Sequence, residues 1–128
     1  MGRESTNILP SPAPTGTTPF RSLTVNSTAQ AVSAKPANLV GVSVINLHSA
    51  AIYVKFYNIA AASVDPASST PVFTLMVPAT SQVILRGADL PWSHATAISV
   101  RAVTNSGDTG TTAPGTLPIL ELETISTP

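Results

Sequence analysis

The chain has 128 residues, six basic against six acidic side chains and no cysteine. That length holds one domain of ordinary size, while zero formal charge removes the electrostatic footprint of a nucleic-acid or anionic-membrane binder. Without cysteine there are no disulfides, thiolate zinc sites or cysteine nucleophiles, and with only 9% charged residues the surface is hydroxyl-rich and apolar.

Residues 1–20 read as an extended N-terminal arm. Pro10, Pro12, Pro14 and Pro19 each fix φ and remove a donor, so no helix forms there, and Ile8-Leu9 is the arm's only apolar handle. No continuous apolar core of a signal peptide stands in this stretch, and no run approaches the ~20 residues of a membrane span. Met1-Gly2-Arg3-Glu4-Ser5-Thr6 fits a myristoylation pattern and Asn26-Ser27-Thr28 a glycosylation sequon, both short enough to arise by chance.

Residues 21–128 read as one β domain. A weak strand at Ser22–Val25 and another near Ala31 precede Leu39–Ile45, where Val40, Val42 and Val44 alternate with Gly41 and Ser43. Ala51–Tyr57 alternates more strongly, with Ile52, Val54 and Phe56 inward and Tyr53, Lys55 and Tyr57 outward. The two are expected to form a hairpin around Asn46-Leu47-His48-Ser49. Ile59–Ser63 is one helical turn at most. Strands follow at Val72–Val77, Gln82–Arg86, Ala97–Val103 and Leu117–Ile125, separated by Gly-, Pro-, Ser-, Asp- and Asn-rich loops at 64–71, 87–94 and 105–114. Seven or eight short strands with such punctuation predict an all-β, antiparallel, jelly-roll-like β-sandwich.

Few residues suggest chemistry. The two histidines, His48 and His94, fall in a turn and a loop, and no G-x-S-x-G elbow accompanies them. Glu121 and Glu123 share a strand face at a spacing of about 7 Å, which reads as a solvated face because glycosidase carboxylates come from opposite sides of a cleft. The loop Asn105–Gly110 lacks the several acidic ligands of a calcium site. No catalytic residue, cofactor site or metal site is assigned. Trp92, beside Asp89, Pro91 and His94, reads as a plug over the end of the sandwich in preference to a ligand-stacking residue. Tyr53, Lys55 and Tyr57 with Arg101 form either an amphipathic contact patch or a sheet face covered by the rest of the domain. Ile8, Leu9, Tyr53, Lys55, Tyr57, Trp92 and Arg101 are thus the candidate interface residues.

Three stretches carry a family resemblance. Leu39-Val40-Gly41-Val42-Ser43-Val44-Ile45-Asn46, Ala51-Ile52-Tyr53-Val54-Lys55-Phe56-Tyr57-Asn58 and Thr70-Pro71-Val72-Phe73-Thr74-Leu75-Met76-Val77-Pro78 resemble small structural proteins of tailed bacteriophages. Ala97–Thr104, with Asp108 and Thr111-Thr112-Ala113-Pro114, fits the closing region of that family. The likeness covers about Leu39 to Ile125 and departs from the pattern at Gly87–Trp92, where the family has a glycine-rich turn. It implies a virion component with no enzymatic residues. The function expected is a capsid decoration or cement protein on the outer surface of the head, contacting the major capsid protein and self-associating as a homotrimer, with no nucleic acid and no membrane partner. A tail or head-fibre module binding a receptor or glycan is the alternative, and a small hydrolase or lyase would require a clustered histidine and carboxylate set.

Overall fold

The protein is described by a computed structural model covering residues 17–86 and 93–126. Ile8, Leu9, Trp92 and most of the proposed arm lie outside the described residues. The strands are β1 (Thr17–Ser22), β2 (Gln30–Ser33), β3 (Ala37–Ile45), β4 (Ile52–Tyr57), β5 (Phe73–Val77), β6 (Gln82–Arg86), β7 (Ser93–His94), β8 (Ile98–Val103) and β9 (Ile119–Ser126), with one 3-10 turn at Ala61–Ser63.

They form two antiparallel sheets. The first runs β1-β9-β3-β6, with β7 also on β3, and the second runs β2-β8-β4-β5. β6 and β7 lie along the same side of β3, β6 against Gly41–Ile45 and β7 against Ala37–Asn38, so they act as one interrupted strand. Counted so, β1 pairs with β9, β2 with β8, β3 with β6 and β7, and β4 with β5. That is a long hairpin rolled on itself, and the β3–β9 and β4–β8 ladders close the two sheets. The result is a jelly-roll β-sandwich.

The core lies between the sheets. Leu39, Val42 and Val44 of β3 and Leu120 and Leu122 of β9 face Ile52, Val54 and Phe56 of β4 and Ile98, Val100 and Ala102 of β8. Phe56 stacks on Phe73 at 5.9 Å between ring centroids. The period-two reading of β4 holds residue by residue, whereas in β3 a register shift between Leu39 and Gly41 breaks the alternation. Leu39 therefore enters the core and Val40 leaves it, since one extra residue moves the following side chains to the other face.

The expected hairpin of β3 with β4 does not form, because the two strands belong to different sheets. Each carries a complete apolar row, and placing them in opposite sheets packs one row against the other. Asn46 holds this crossover. Fully buried, it donates through Nδ2 to the carbonyls of Ala50 (2.9 Å), Val77 (3.1 Å) and Pro78 (2.9 Å), and its Oδ1 accepts from the backbone N–H of His48 at 2.8 Å. One side chain thus ties the passage from β3 to β4 to the end of β5. The turn after β5 places Thr80 at φ 50°.

β1 falls earlier than the weak strand read at Ser22–Val25. Thr17–Phe20, assigned to the arm, are its first residues, paired with Ile125, Thr124, Glu123 and Leu122. β1 is an edge strand, where Pro19 can turn its missing donor side to solvent. Val25, in the connection that follows, is core.

Candidate functional site

The chemistry-bearing residues of the described chain gather in two places, one under a loop and one on an open sheet face. The first lies on the outer side of the second sheet. Lys55, Tyr57 and Arg101 project there as the alternation requires, yet Lys55 and Arg101 are 0% exposed and Tyr57 is 1% exposed. The contact patch expected of them is not a surface: the covered alternative describes this face, and only Tyr53 of the four keeps partial exposure.

The cover is the loop 104–112. Its base closes where the Thr104 N–H meets the Thr112 carbonyl at 3.0 Å, and Asn105 Oδ1 accepts from the Gly107 N–H at 2.7 Å to shape the turn. A Cβ on Gly110 would stand 2.7 Å from Asn105 Cβ, so the loop packs on itself there without room for a side chain. Three carbonyls point down onto the sheet. Lys55 Nζ donates to Ser106 O at 3.0 Å and to Thr74 Oγ1 at 3.4 Å. Arg101 donates to Asp108 O at 3.0 Å, to Gly110 O, and through Nε to the Tyr57 hydroxyl at 2.7 Å, with its guanidinium 5.9 Å from the Tyr57 ring centroid. Burial pushes the Lys55 ammonium below the usual lysine range; the charge of Asp108 works against that and Arg101 adds to it. This cluster binds a loop, and its donors point at backbone carbonyls instead of at solvent.

The second place is the outer face of the first sheet. The registers bring Pro19, Glu123, Gly41 and Arg86 into one row and Arg21, Glu121, Ser43 and Ile84 into the next. Arg21 Nε meets Glu121 Oε2 at 3.2 Å, and Arg86 Nη1 meets Glu123 Oε1 at 3.3 Å. The second pair spans the gap that Gly41 leaves, where an added Cβ would stand 3.0 Å from Glu123 Oε1 and 3.4 Å from Arg86 Nη1. The four charged side chains rim a depression of about 280 Å³ over Gly41 and Ser43. Glu121 and Glu123 do share a strand face, and each has an arginine partner. Strand assignment alone could place the two carboxylates, but nothing in the sequence indicates which strands flank β9 and so which arginines meet them.

The histidines do not come together. His94 is buried in β7 opposite Ala37 at the start of β3, and His48 lies beyond the other end of β3, with roughly 30 Å of extended strand between them. Among the described residues no group of three or more His, Asp and Glu side chains could hold a metal ion, and no helix is long and apolar enough to cross a membrane. Comparisons with protein-family models, with curated proteins and with solved structures find no match.

Proposed function

We propose that this chain is a non-enzymatic structural protein of a tailed-bacteriophage particle: a decoration or cement protein that sits on the outer capsid surface, associates as a homotrimer and bridges neighbouring capsomers through contacts with the major capsid protein. The phage assignment rests on the resemblance of Leu39–Asn46, Ala51–Asn58 and Thr70–Pro78. A jelly roll serves viral capsid proteins, lectin domains and cupins alike, so fold by itself does not choose among them.

The observation that carries the reading is where the charge has gone. Two of the cations are buried under a loop, and the paired charges outside lie on an open sheet face of a small, neutral sandwich. Among the described residues the ion-paired charge left outside lies on that open sheet face, and such a surface suits association with a protein shell in many identical copies. The alternative, a tail or head-fibre module that binds a glycan, draws on the depression over Gly41. Each Arg–Glu pair there uses one N–H and one oxygen, leaving donors and acceptors for the hydroxyls of a polyol.

The experiment is the molar ratio of this protein to the major capsid protein in purified particles, by quantitative peptide mass spectrometry. A ratio near one is expected of a covering layer. A ratio of a few per cent overturns the decoration reading and moves the protein to the tail or fibre, with the Gly41 depression as the place to probe for glycan.

A further inference from the structure

The charges on the outer face of the first sheet are placed symmetrically about β3. Gly41 pairs with Arg86 on one side and with Glu123 on the other, so a cation and an anion stand one strand to either side of the same residue. In the next row Ser43 lies between Ile84 and Glu121, with Arg21 beyond Glu121 on β1. Among the described residues this face is open: its four charged side chains are between 40% and 68% exposed, and Ile84 is 54% exposed.

We propose that this face meets the same face of a second copy across a two-fold axis laid along β3. Rotation about β3 exchanges the β6 and β9 sides, so Arg86 of each copy comes over Glu123 of the other. A contact of this symmetry has to be self-complementary, and here it is. The pair that closes within one chain at 3.3 Å uses one N–H and one oxygen, which leaves guanidinium donors and a carboxylate oxygen for the pair between chains. Gly41 and Ser43 fall on the axis, where their small side chains leave the depression into which the facing side chains interdigitate. Extended arginine and glutamate side chains together bridge the ~10 Å between packed sheets. Ile84 comes under the stem of the other copy's Glu121.

Charge selects the axis. Laid along β9, it would set Glu121 and Glu123 each over its own counterpart, and laid across the strands between the two rows it would set Glu121 over Glu123. Both arrangements oppose carboxylates, which costs affinity. An axis between β3 and β9 places every one of the four charges over an uncharged residue, desolvating it without a partner. An axis between β9 and β1 does bring Arg21 over Glu121, but it leaves Gly41, Arg86 and Ile84 uncovered. With the axis on β3 three strands of each copy overlap, a flat area of roughly 300 Å² against the ~800 Å² per partner of a standard interface. The contact is therefore weak singly and gains strength when repeated. It goes beyond the reading above, because a two-fold contact is additional to a three-fold one and joins one such assembly to the next.

Two pairs of variants test it. Arg86→Glu gives a copy with carboxylates on both sides of Gly41, and Glu123→Arg a copy with guanidinium groups on both sides, so each repels itself across the axis. Mixed, they restore both opposite-charge contacts between copies while the ion pair within each chain stays broken. Arg21→Glu and Glu121→Arg change net charge in the same way, yet their positions do not face each other across β3. Mass is followed by sedimentation velocity from micromolar to millimolar chain at low salt. The parent is expected to associate with rising concentration and less so in salt, and each of Arg86→Glu and Glu123→Arg to associate about tenfold more weakly or worse. Their equimolar mixture should regain the association, and the Arg21→Glu with Glu121→Arg mixture should gain nothing on mixing. Single variants that associate like the parent, no gain in the first mixture, or an equal gain in the second each overturn the proposal. A parent no heavier than its variants at any concentration also overturns it and leaves the face to another kind of occupant, such as the glycan of the alternative reading. Urea midpoints verify that each variant folds. Because the assay contains no capsid, its failure and a failure of the virion reading are separate results.

Discussion

Replacing Asn46 by alanine removes the side chain that ties the β3-to-β4 crossover to the end of β5. Lost with it are the two Nδ2 hydrogens, shared among the carbonyls of Ala50, Val77 and Pro78, and the oxygen that accepts from the His48 N–H. The Val77 bond is buried, so its carbonyl is left unpaired at a penalty of about 2 kcal/mol, while the three partly buried partners can recruit water and lose nearer 0.5–1 kcal/mol each. The sum is about 4 kcal/mol, a large share of the 5–15 kcal/mol that hold an ordinary domain. With a urea dependence of about 1.5 kcal/mol per molar, the midpoint should fall by about 2–3 M with an unchanged slope.

The nearly isosteric Asn46→Asp sharpens the test. A carboxylate still accepts from His48 but turns an oxygen toward three carbonyls, so its folded pKa is driven above the ~3.9 of the unfolded chain. The native state then binds more protons than the unfolded state between those two values, and stability falls as pH rises through that window. Asn46→Asp should therefore be less stable than Asn46→Ala at pH 8 and recover on acidification toward pH 4. A loss below about 1 kcal/mol for Asn46→Ala, or equal and pH-independent losses for the two variants, refutes the assigned role.

Lys55 should make stability rise with pH on the alkaline side: its folded pKa lies below the unfolded ~10.4, so the unfolded chain binds the extra proton between the two values. Urea midpoints from pH 7 to 10.5 should show that rise in the parent and lose it in Lys55→Met; parallel profiles would contradict it. Gly110→Ala should speed amide exchange across residues 104–112, because the new Cβ meets Asn105 within the loop, whereas Gly41→Ala should change stability by less than about 1 kcal/mol, since it displaces only the ends of Glu123 and Arg86. Thr80→Gly should leave stability equal or raise it by up to about 1 kcal/mol in thermal unfolding, because φ 50° strains a β-branched residue. Deleting residues 1–16 should leave the urea midpoint in place, while deletion through Ser22 should lower it by about 2 kcal/mol or more, as Phe20 and the β1 ladder on β9 are removed.

Strands with a strict period of two were legible in the sequence, and β4 and β6 fall within a residue of where alternation places them. Where the structure departs, a local rule yields to a tertiary one. Pro19 reads as the end of order because proline removes a donor, yet an edge strand has a side on which no donor is needed. Val40 reads as core because it continues an alternation that the register shift beside it interrupts. The hairpin expected at Asn46–Ser49 fails for a reason no turn residue announces: two fully apolar strand faces are better buried against each other than side by side. The open-face pairs were half legible, since Glu121 and Glu123 are visible on one strand while their arginines come from β1 and β6, far away in sequence.

The covered face shows why the sequence leaves Lys55, Tyr57 and Arg101 open between a contact patch and a covered sheet face. A jelly roll without helices has to cover or solvate the outside of each sheet, and here a short polar loop covers part of one. Such a loop brings carbonyls down onto the strands, and an apolar row beneath it would leave Ser106, Asp108 and Gly110 without donors. Burying a cation costs desolvation energy, but Arg101 answers two loop carbonyls and the Tyr57 hydroxyl at once, and Lys55 answers the third carbonyl. A tyrosine, lysine and arginine on an alternating strand face have the composition of an interface because they form one, closed within the chain. In a protein with so few charges this leaves, among the described residues, the face over Gly41 with its two Arg–Glu pairs as a charged surface open to a partner.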